Sequence, residues 1–209
     1  AVGCGLLCKY CWVSDAVMFQ PAETGRFYPP DVVAKILVDM AKKKNRRQLR
    51  VSGGEPTIGK GFPEIVKMIE EERSWILHLT SNLSLPLLWW KKFVKSKIVE
   101  ERRLFINASF HPSETSLEEF VPKLLLLRKY GIECPVVLVM WPPIIKRFKD
   151  LFEAFDRHNF LIHLRRFEGW YNGKWYPRAY TEEERTAIAR FMDDASIKYT
   201  LNYQNHKAK

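Results

Sequence analysis

Three of the four cysteines in this chain of 209 residues crowd into residues 4–11, as Cys4, Cys8 and Cys11. Thiolates are soft ligands that suit zinc and iron–sulfur clusters, and a C-x3-C-x2-C loop can present three of them to three irons of one cluster. Structural zinc normally takes four ligands from two separate pairs, and no histidine is near this loop in the sequence. The spacing therefore favours an iron–sulfur cluster, with zinc and free thiols as the alternatives.

The fourth cysteine, Cys134, lies more than a hundred residues further along the chain and begins an apolar run. A cysteine in such a place is usually a small buried side chain. Four cysteines of which three are crowded together cannot make a distributed disulfide framework. One iron of a four-iron cluster would therefore have no nearby protein thiolate.

A second segment that could do chemistry is SGGEPT, residues 52–57, which follows a predicted strand. Gly53 and Gly54 allow the backbone to approach a ligand closely, because they have no Cβ. The Glu55 carboxylate can accept a hydrogen bond from an ammonium group. The segment is therefore a candidate ligand-binding loop.

The elements that must position these residues are indicated by short apolar runs, mostly rich in β-branched residues. Five runs predict strands, and their starts are roughly 26–31 residues apart, the length of a βα unit. These runs are residues 49–52, 76–80, 104–109, 135–140 and 161–164. Residues 1–3 are a candidate stump of a sixth strand, and the alternating run 197–203 is a candidate terminal strand.

Amphipathic stretches of helical length lie between and after these runs, at residues 31–43, 62–72, 87–95, 117–130, 144–156 and 181–194. Ser116 with Glu119, and Thr181 with Glu184, form capping boxes that mark two helix starts. Gly131 follows the fourth helix in the position where a glycine ends a helix.

Strand alternating with helix predicts an α/β fold in which parallel strands carry their helices outside. No low-complexity linker interrupts the chain, so we expect one domain over residues 1–209, with a C-terminal helix and strand in 181–209. In such folds the chemistry collects at the carboxyl ends of the strands. Both motifs above fall at such ends.

The cysteine loop, with the aromatic Tyr10 just before its last cysteine, resembles the loop of the radical S-adenosylmethionine (SAM) superfamily. Gly53-Gly54-Glu55 resembles the GGE motif of that superfamily, and the two motifs stand in the right order, one βα unit apart. The resemblance implies a partial (β/α)6 TIM-like barrel. The first strand of that barrel should precede Cys4, where only three residues stand, so we expect it to be short or missing.

The resemblance also implies the chemistry. Cys4, Cys8 and Cys11 would bind three irons of a [4Fe–4S] cluster, and the amino and carboxylate groups of SAM would chelate the fourth. One electron, from a donor such as flavodoxin or ferredoxin, would cleave SAM to a 5′-deoxyadenosyl radical that takes a hydrogen atom from the substrate. The cofactors carry this chemistry, while the protein positions them and excludes water.

Further contacts to SAM follow from the same resemblance. Tyr10, Gly53, Gly54 and Glu55 match its two motifs, and the strand-end positions Asn82, Ser109, Val139 and Arg165 are where further SAM contacts are expected. Ser109 would meet the ribose, Val139 the adenine and Arg165 the carboxylate. The alternative for each strand-end residue is a group that is satisfied locally.

Residues 168–180 hold five aromatic side chains and are predicted to form a lid loop over a planar or sugar-like substrate. The alternative is that these rings only cover the side of an incomplete barrel. An anionic group such as phosphate or carboxylate could be held by Arg165, Arg166, Lys174 or Arg178. The candidate substrate contacts are His111, Trp141, Trp170, Tyr171, Lys174, Trp175 and Arg178.

Composition narrows the classes of protein. Lys plus Arg number 34 and Asp plus Glu number 24, so the formal net charge is +10. Much of the excess of basic residues lies in residues 42–50 and 91–97. We expect both segments at the end of the barrel opposite the site. A solvated face explains it. An apolar content of 46% excludes a disordered chain. No uncharged run reaches the roughly 18 residues of a membrane span, and no secretory segment is visible, so we expect a cytoplasmic protein.

Three hypotheses of function follow. The first is a radical SAM enzyme that acts on a small anionic or nucleotide-like substrate. The second is an activase that installs a glycyl radical on a partner protein, which should have an open barrel side without an aromatic lid. The third is a nucleic-acid-binding protein with a structural metal site, which leaves Gly53 to Glu55 unexplained.

Overall fold

The computed structural model describes residues 4, 6, 8–11, 32, 35–36, 39, 48–59, 61–72 and 74–190. Its five-stranded sheet is parallel throughout, in the order β1-β2-β3-β4-β5. The strands are β1 (Gln48–Val51), β2 (Ile76–Ser81), β3 (Leu104–Phe110), β4 (Val136–Met140) and β5 (Ile162–Arg166). All five predicted strands are confirmed. The expected sixth strand at 1–3 and terminal strand at 197–203 lie outside the described residues.

The helices predicted at 62–72, 87–95 and 117–130 are confirmed, whereas most of the helix predicted over 31–43 and the end of the helix predicted over 181–194 lie outside the described residues. The helices are α1 (Phe62–Glu71), α2 (Leu87–Phe93), α3 (Lys97–Glu100), α4 (Leu117–Lys129), α5 (Pro142–Ile145) and α6 (Phe148–Asp156), and residues 182–190 are also helical. The single helix predicted over 144–156 is wrong, because two prolines start α5 early and a tight turn separates it from α6. No helix in the described part of the chain combines the length and apolarity that crossing a bilayer requires.

Both predicted capping boxes are present and fix two helix starts. The Ser116 hydroxyl accepts a hydrogen bond from the Glu119 amide at 3.3 Å. Thr181 and Glu184 bond each other reciprocally, at 2.9 and 3.2 Å. Gly131, with φ of +73°, follows the end of α4 in the left-handed conformation that favours glycine.

One face of the sheet is buried beneath the helices. Leu79, Ala108 and Leu138, from three successive strands, are each fully buried. The Phe110 ring contacts Phe120 of α4 and Phe155 of α6, with centroids 4.9 and 5.2 Å away. Burial of this apolar face drives the helices onto the sheet.

The opposite face is less buried and more polar, and we call it the inner face. Successive side chains in a strand point to opposite faces, so the residues that alternate with the buried set share it. The inner face consists of Arg50, His78, Thr80, Phe105, Asn107, Ser109, Val137, Val139, His163 and Arg165. It is the face that remains available for ligands.

The predicted lid loop contains a β-hairpin. β6 (Gly169–Tyr171) pairs with β7 (Lys174–Tyr176) in antiparallel fashion. Asn172 and Gly173 connect the two strands with φ of +49° and +69°. Two positive φ angles at an Asn-Gly pair are typical of the tight turn whose twist matches a hairpin.

The hairpin is anchored to the carboxyl end of β4 by one buried tyrosine. The Tyr180 hydroxyl donates to the Met140 carbonyl at 2.7 Å and accepts from the Phe167 amide at 3.0 Å. The Tyr180 and Tyr176 rings meet edge to face at 4.9 Å. The aromatic segment is therefore fixed beside the strand ends.

We expect Phe110→Ala to lower the free energy of unfolding by about 3–5 kcal/mol, because it removes a ring from the contact between the sheet and two helices. Leu88→Ala, at a position of α2 that is 64% exposed, should change it by less than about 0.5 kcal/mol. Urea unfolding of the two variants measures both values. Equal losses would contradict the assignment of the core.

Candidate functional site

The cysteine loop forms a turn that buries its middle. The Cys11 amide donates to the Cys8 carbonyl at 3.0 Å, which closes the turn over Lys9 and Tyr10. Cys8 and Tyr10 are buried, Lys9 is exposed, and Cys4 and Cys11 are half-buried. The three thiols therefore lie on one short segment of the chain, and their role as cluster ligands stays a prediction.

Burial makes an uncompensated thiolate unfavourable on this loop. It raises the pKa of Cys4, and it raises the pKa of Cys8 to about 12, with the negative charges of Glu114 and of the other two thiols adding to the effect at Cys8. A positively charged metal centre would relieve this cost, since metal binding replaces the thiol protons.

The donor set fits an iron–sulfur cluster by its chemistry, because it consists of three cysteine thiols on one loop. Among the described residues, no three side chains of histidine, cysteine, aspartate or glutamate converge as ligands of a single ion. Cys134 is half-exposed as a residue but its thiol is enclosed, and burial raises its pKa. Cys134 is distant from the loop in sequence, and its assignment as a structural cysteine stays an interpretation.

Tyr10 fastens the cysteine loop to the ends of β3 and β4. Its hydroxyl lies 2.7 Å from Nδ1 of His111, and its ring stacks on His111 at 5.7 Å and contacts Trp141 at 5.0 Å. Burial raises the pKa of Tyr10 and lowers the pKa of His111 to about 4. Both groups are therefore neutral near pH 7. His111 and Trp141 lie beside the cysteine loop, and their role as substrate contacts stays a prediction.

Two consecutive residues of the loop after β1 have a left-handed backbone conformation. Gly53 has φ of +89° and Gly54 of +48°. A Cβ added to Gly53 would meet no atom within 4 Å, so glycine is required there by conformation and not by space. After these two residues the chain enters the short helical turn Pro56–Ile58, and Glu55 caps its start.

The Glu55 carboxylate is fully buried and joins the ends of β1 and β2. Its Oε1 accepts hydrogen bonds from the Thr57 amide at 3.1 Å, the Thr57 hydroxyl at 2.7 Å and the Ser81 hydroxyl at 2.8 Å. Its Oε2 accepts one, from the Asn82 amide at 2.6 Å. These four donors compensate the negative charge of the enclosed carboxylate.

Asn82 connects this carboxylate to the cysteine loop. Its side-chain Nδ2 donates to the Cys4 sulfur at 3.2 Å, and its Oδ1 accepts from the Ser84 amide at 2.9 Å. The residue is predicted as a SAM contact at a strand end. The structure instead gives its side chain two partners within the protein.

The remaining predicted SAM contacts lie together on the inner face. Ser109 pairs in register with Val137, and Val139 pairs with Arg165 on the next strand. Arg165 is exposed. Arg166, the other arginine considered for an anion, pairs with Met140 and therefore lies on the helix-covered face. Arg166 is nonetheless exposed at the carboxyl end of the strand, and its role in holding an anion stays a prediction.

Sequence reasoning missed two histidines of the inner face, His78 and His163. His78 stacks on Phe105 at 4.9 Å, and its Nε2 is buried without a hydrogen-bond partner in the described part of the chain. Burial and the charge of Arg50 lower the pKa of His78, and burial and Arg165 lower the pKa of His163. Each histidine occupies a strand position that alternates with buried apolar residues, and this pattern could have identified both from the sequence.

The hairpin divides the predicted aromatic contacts into two sets. The Tyr171 ring meets Trp141 edge to face at 5.2 Å, and Lys174 lies opposite Tyr171 on the same hairpin face. Trp170 and Trp175 contact each other at 5.5 Å on the other face, 64% and 42% exposed. The structure therefore does not bring these two tryptophans to the cysteine loop, and Arg178 is likewise exposed beyond the hairpin.

Comparison with known sequences gives a family. The model of the Radical SAM superfamily matches residues 1–155. Proteins named "Probable GTP 3',8-cyclase" from Methanococcus vannielii and Methanococcus maripaludis are 32% identical over 79 residues. The match covers 38% of this chain and 25% of those proteins, so the chain spans about a quarter of the length of the curated relatives it matches.

Comparison with solved structures gives the same fold. The enzyme anSMEcpe with bound AdoMet, which is SAM, superposes with a TM-score of 0.69 at 16% identity, covering 97% of this chain and 60% of that one. SuiB of Streptococcus suis bound to S-adenosylmethionine superposes with a TM-score of 0.64 at 13% identity, covering 95% of this chain and 43% of SuiB. At these identities the likeness establishes the fold, a partial TIM barrel.

The family match covers most of the chain, including both the cysteine loop and the Gly53–Glu55 loop. The parallel sheet with outer helices is the fold of solved structures that bind SAM. The chain belongs to the radical SAM superfamily, and it is an enzyme of that superfamily.

Proposed function

We propose that this enzyme cleaves SAM reductively at a [4Fe–4S] cluster and uses the resulting radical to take a hydrogen atom from a small anionic or nucleotide-like substrate. When bound, the reduced cluster supplies one electron that splits SAM into methionine and a 5′-deoxyadenosyl radical, which becomes 5′-deoxyadenosine as it gains the substrate's hydrogen atom. The proposed ligands of three irons are Cys4, Cys8 and Cys11.

The observation that carries this proposal is the connection between the two motifs. The Asn82 backbone amide binds the Glu55 carboxylate, and the Asn82 side chain binds the Cys4 sulfur. A ligand that contacts both the cluster and the Gly53–Glu55 loop needs these two loops held at a fixed separation. The resemblance of Gly53-Gly54-Glu55 to the GGE motif supports this loop as the proposed site of the ligand's ammonium group.

The inner face supplies the remaining contacts that we propose for SAM. Ser109 offers a hydroxyl for the ribose, Val139 an apolar surface for the adenine and Arg165 a guanidinium for the carboxylate. Val139 and Arg165 are neighbours in register, which supports contacts to one ligand. Tyr10 would close the side of the cluster and exclude water.

The charges near this face support an anionic substrate. Arg50 and Arg165 are exposed cations on the inner face, and Lys174 lies on the hairpin face that meets Trp141. The name of the relatives, GTP 3',8-cyclase, is that of an enzyme of an anionic nucleotide.

A second candidate is action on a partner protein or peptide, as in the activase hypothesis. The exposed pair Trp170 and Trp175 favours it, since tryptophan is enriched in protein interfaces. Solved neighbours were determined with a peptide, Cp18Cys on anSMEcpe and SuiA on SuiB. Against it, the hairpin packs on Trp141 where an activase should be open. Deuterium transfer into 5′-deoxyadenosine, from a labelled nucleotide or from a labelled peptide, separates the two.

The electron is proposed to come from flavodoxin or ferredoxin, and the enzyme is proposed to work in the cytoplasm. Both proposals rest on the same chemistry. A low-potential cluster needs a one-electron donor, and reactive thiols and clusters persist in a reducing compartment.

Anaerobic reconstitution with iron and sulfide should give a brown protein that releases 5′-deoxyadenosine when reduced in the presence of SAM. Cys8→Ala should abolish this release and lower bound iron, because it removes a proposed ligand. Cys134→Ala removes a cysteine outside the loop and should retain both properties. Iron analysis and chromatography of the nucleoside measure the two outcomes, and a fully loaded cluster without SAM cleavage would contradict the proposed function.

We expect Glu55→Gln to weaken SAM binding about tenfold or more while bound iron falls much less, because an amide replaces a charged acceptor of the ammonium group. Equilibrium binding of SAM to the reconstituted protein, with iron per chain measured in parallel, gives both values. Glu64→Gln, the same change on the exposed surface of α1, is the control and should leave both unchanged. Unaltered SAM affinity in Glu55→Gln would remove this residue from the SAM site.

A further inference from the structure

The Asn82 side chain is buried and its amide orientation is fixed by two different partners. It is only 4% exposed. The oxygen accepts from the Ser84 amide at 2.9 Å, which requires Oδ1 on that side. The nitrogen therefore faces the Cys4 sulfur, 3.2 Å away, with hydrogen atoms to donate.

The turn that carries Asn82 is held by hydrogen bonds to residues from other parts of the chain. Its backbone amide and the Ser81 hydroxyl both donate to Glu55, and the Ser81 hydroxyl accepts from the Leu83 amide at 3.0 Å. The Lys123 ammonium, from α4, donates to the Leu83 carbonyl at 2.7 Å, and Lys123 is only 8% exposed.

Leu83 shows how tightly this turn is determined. It is fully buried and has φ of +54°, a left-handed conformation for a residue that is not glycine. Such a conformation costs roughly 1–2 kcal/mol and persists only where the surroundings enforce it. Leu83 directly follows Asn82, in the same turn that holds the Asn82 side-chain amide beside Cys4.

We propose that Asn82 is a positioning residue that raises the reduction potential of the iron–sulfur cluster by donating a hydrogen bond to the Cys4 thiolate. The cluster gains one negative charge on reduction, and part of that charge lies on the cysteine sulfurs. A donor at the sulfur stabilises the reduced state more than the oxidised state, and hydrogen bonds to cluster sulfurs are a recognised determinant of potential. The inference rests on the proposed function only in that Cys4 binds the cluster.

The test is the midpoint potential of the reconstituted cluster without SAM, followed by electron paramagnetic resonance during a redox titration. Asn82→Ala removes the donor, and Asn82→Asp removes it while keeping an oxygen for the Ser84 amide. Both should shift the potential to more negative values, with the larger shift in Asn82→Asp because it adds a negative charge. Asn159→Asp, the same change in an exposed turn before β5 with no contact to a cysteine in the described residues, should leave the potential near that of the wild type.

Resonance Raman spectra provide a second readout. A hydrogen bond withdraws electron density from the sulfur, so the Fe–S(Cys) stretching frequency should rise in both Asn82 variants and stay unchanged in Asn159→Asp. Wild-type potential and frequency in fully loaded Asn82 variants would overturn the proposal. Loss of iron from both Asn82 variants, with Asn159→Asp fully loaded, would overturn it too, since Asn82 would then serve assembly.

The outcome is separable from that of the proposed function. If the Asn82 variants have shifted potentials while the wild-type protein cleaves no SAM, this inference stands and the proposed activity is removed. Unshifted potentials in a protein that cleaves SAM would do the reverse.

Discussion

A buried carboxylate is the constraint on which the site depends. Glu55 is fully enclosed at the junction of the first two strands, where an isolated negative charge would be strongly unfavourable. It is tolerated because four donors from Thr57, Ser81 and Asn82 surround it. Those donors fix the exits of β1 and β2 relative to each other. The loop expected to meet SAM and the residue that meets Cys4 are therefore set by one side chain.

An aromatic contact holds the other side of the cysteine loop. Tyr10 packs against His111 and Trp141, and Trp141 in turn contacts Tyr171 of the hairpin. The rings connect the short loop to the ends of β3 and β4, while Asn82 connects it to the end of β2. Support from both sides matters because radical chemistry needs a position that does not drift and a space that excludes water.

The positive charge of the inner face comes from arginine side chains and not from histidine side chains. Burial with a nearby guanidinium lowers the pKa of both His78 and His163, so these rings are neutral near pH 7. The guanidinium groups concerned are those of Arg50, which acts on His78, and Arg165, which acts on His163. The face therefore offers fixed positive charge beside neutral hydrogen-bonding rings, a combination suited to an anionic ligand.

The sequence by itself determined what is local: the thiol loop, the Gly53–Glu55 loop, the strand–helix order and two capping boxes, because spacing and periodicity express these directly. Only the tertiary structure decided which groups meet. Asn82 and Cys4 stand 78 positions apart, and Tyr10 and His111 stand 101 apart. The split of the hairpin aromatics and the placement of His78 on the inner face likewise depend on strand register and burial. Long-range partners follow from how strand ends assemble, which no local pattern of residues encodes.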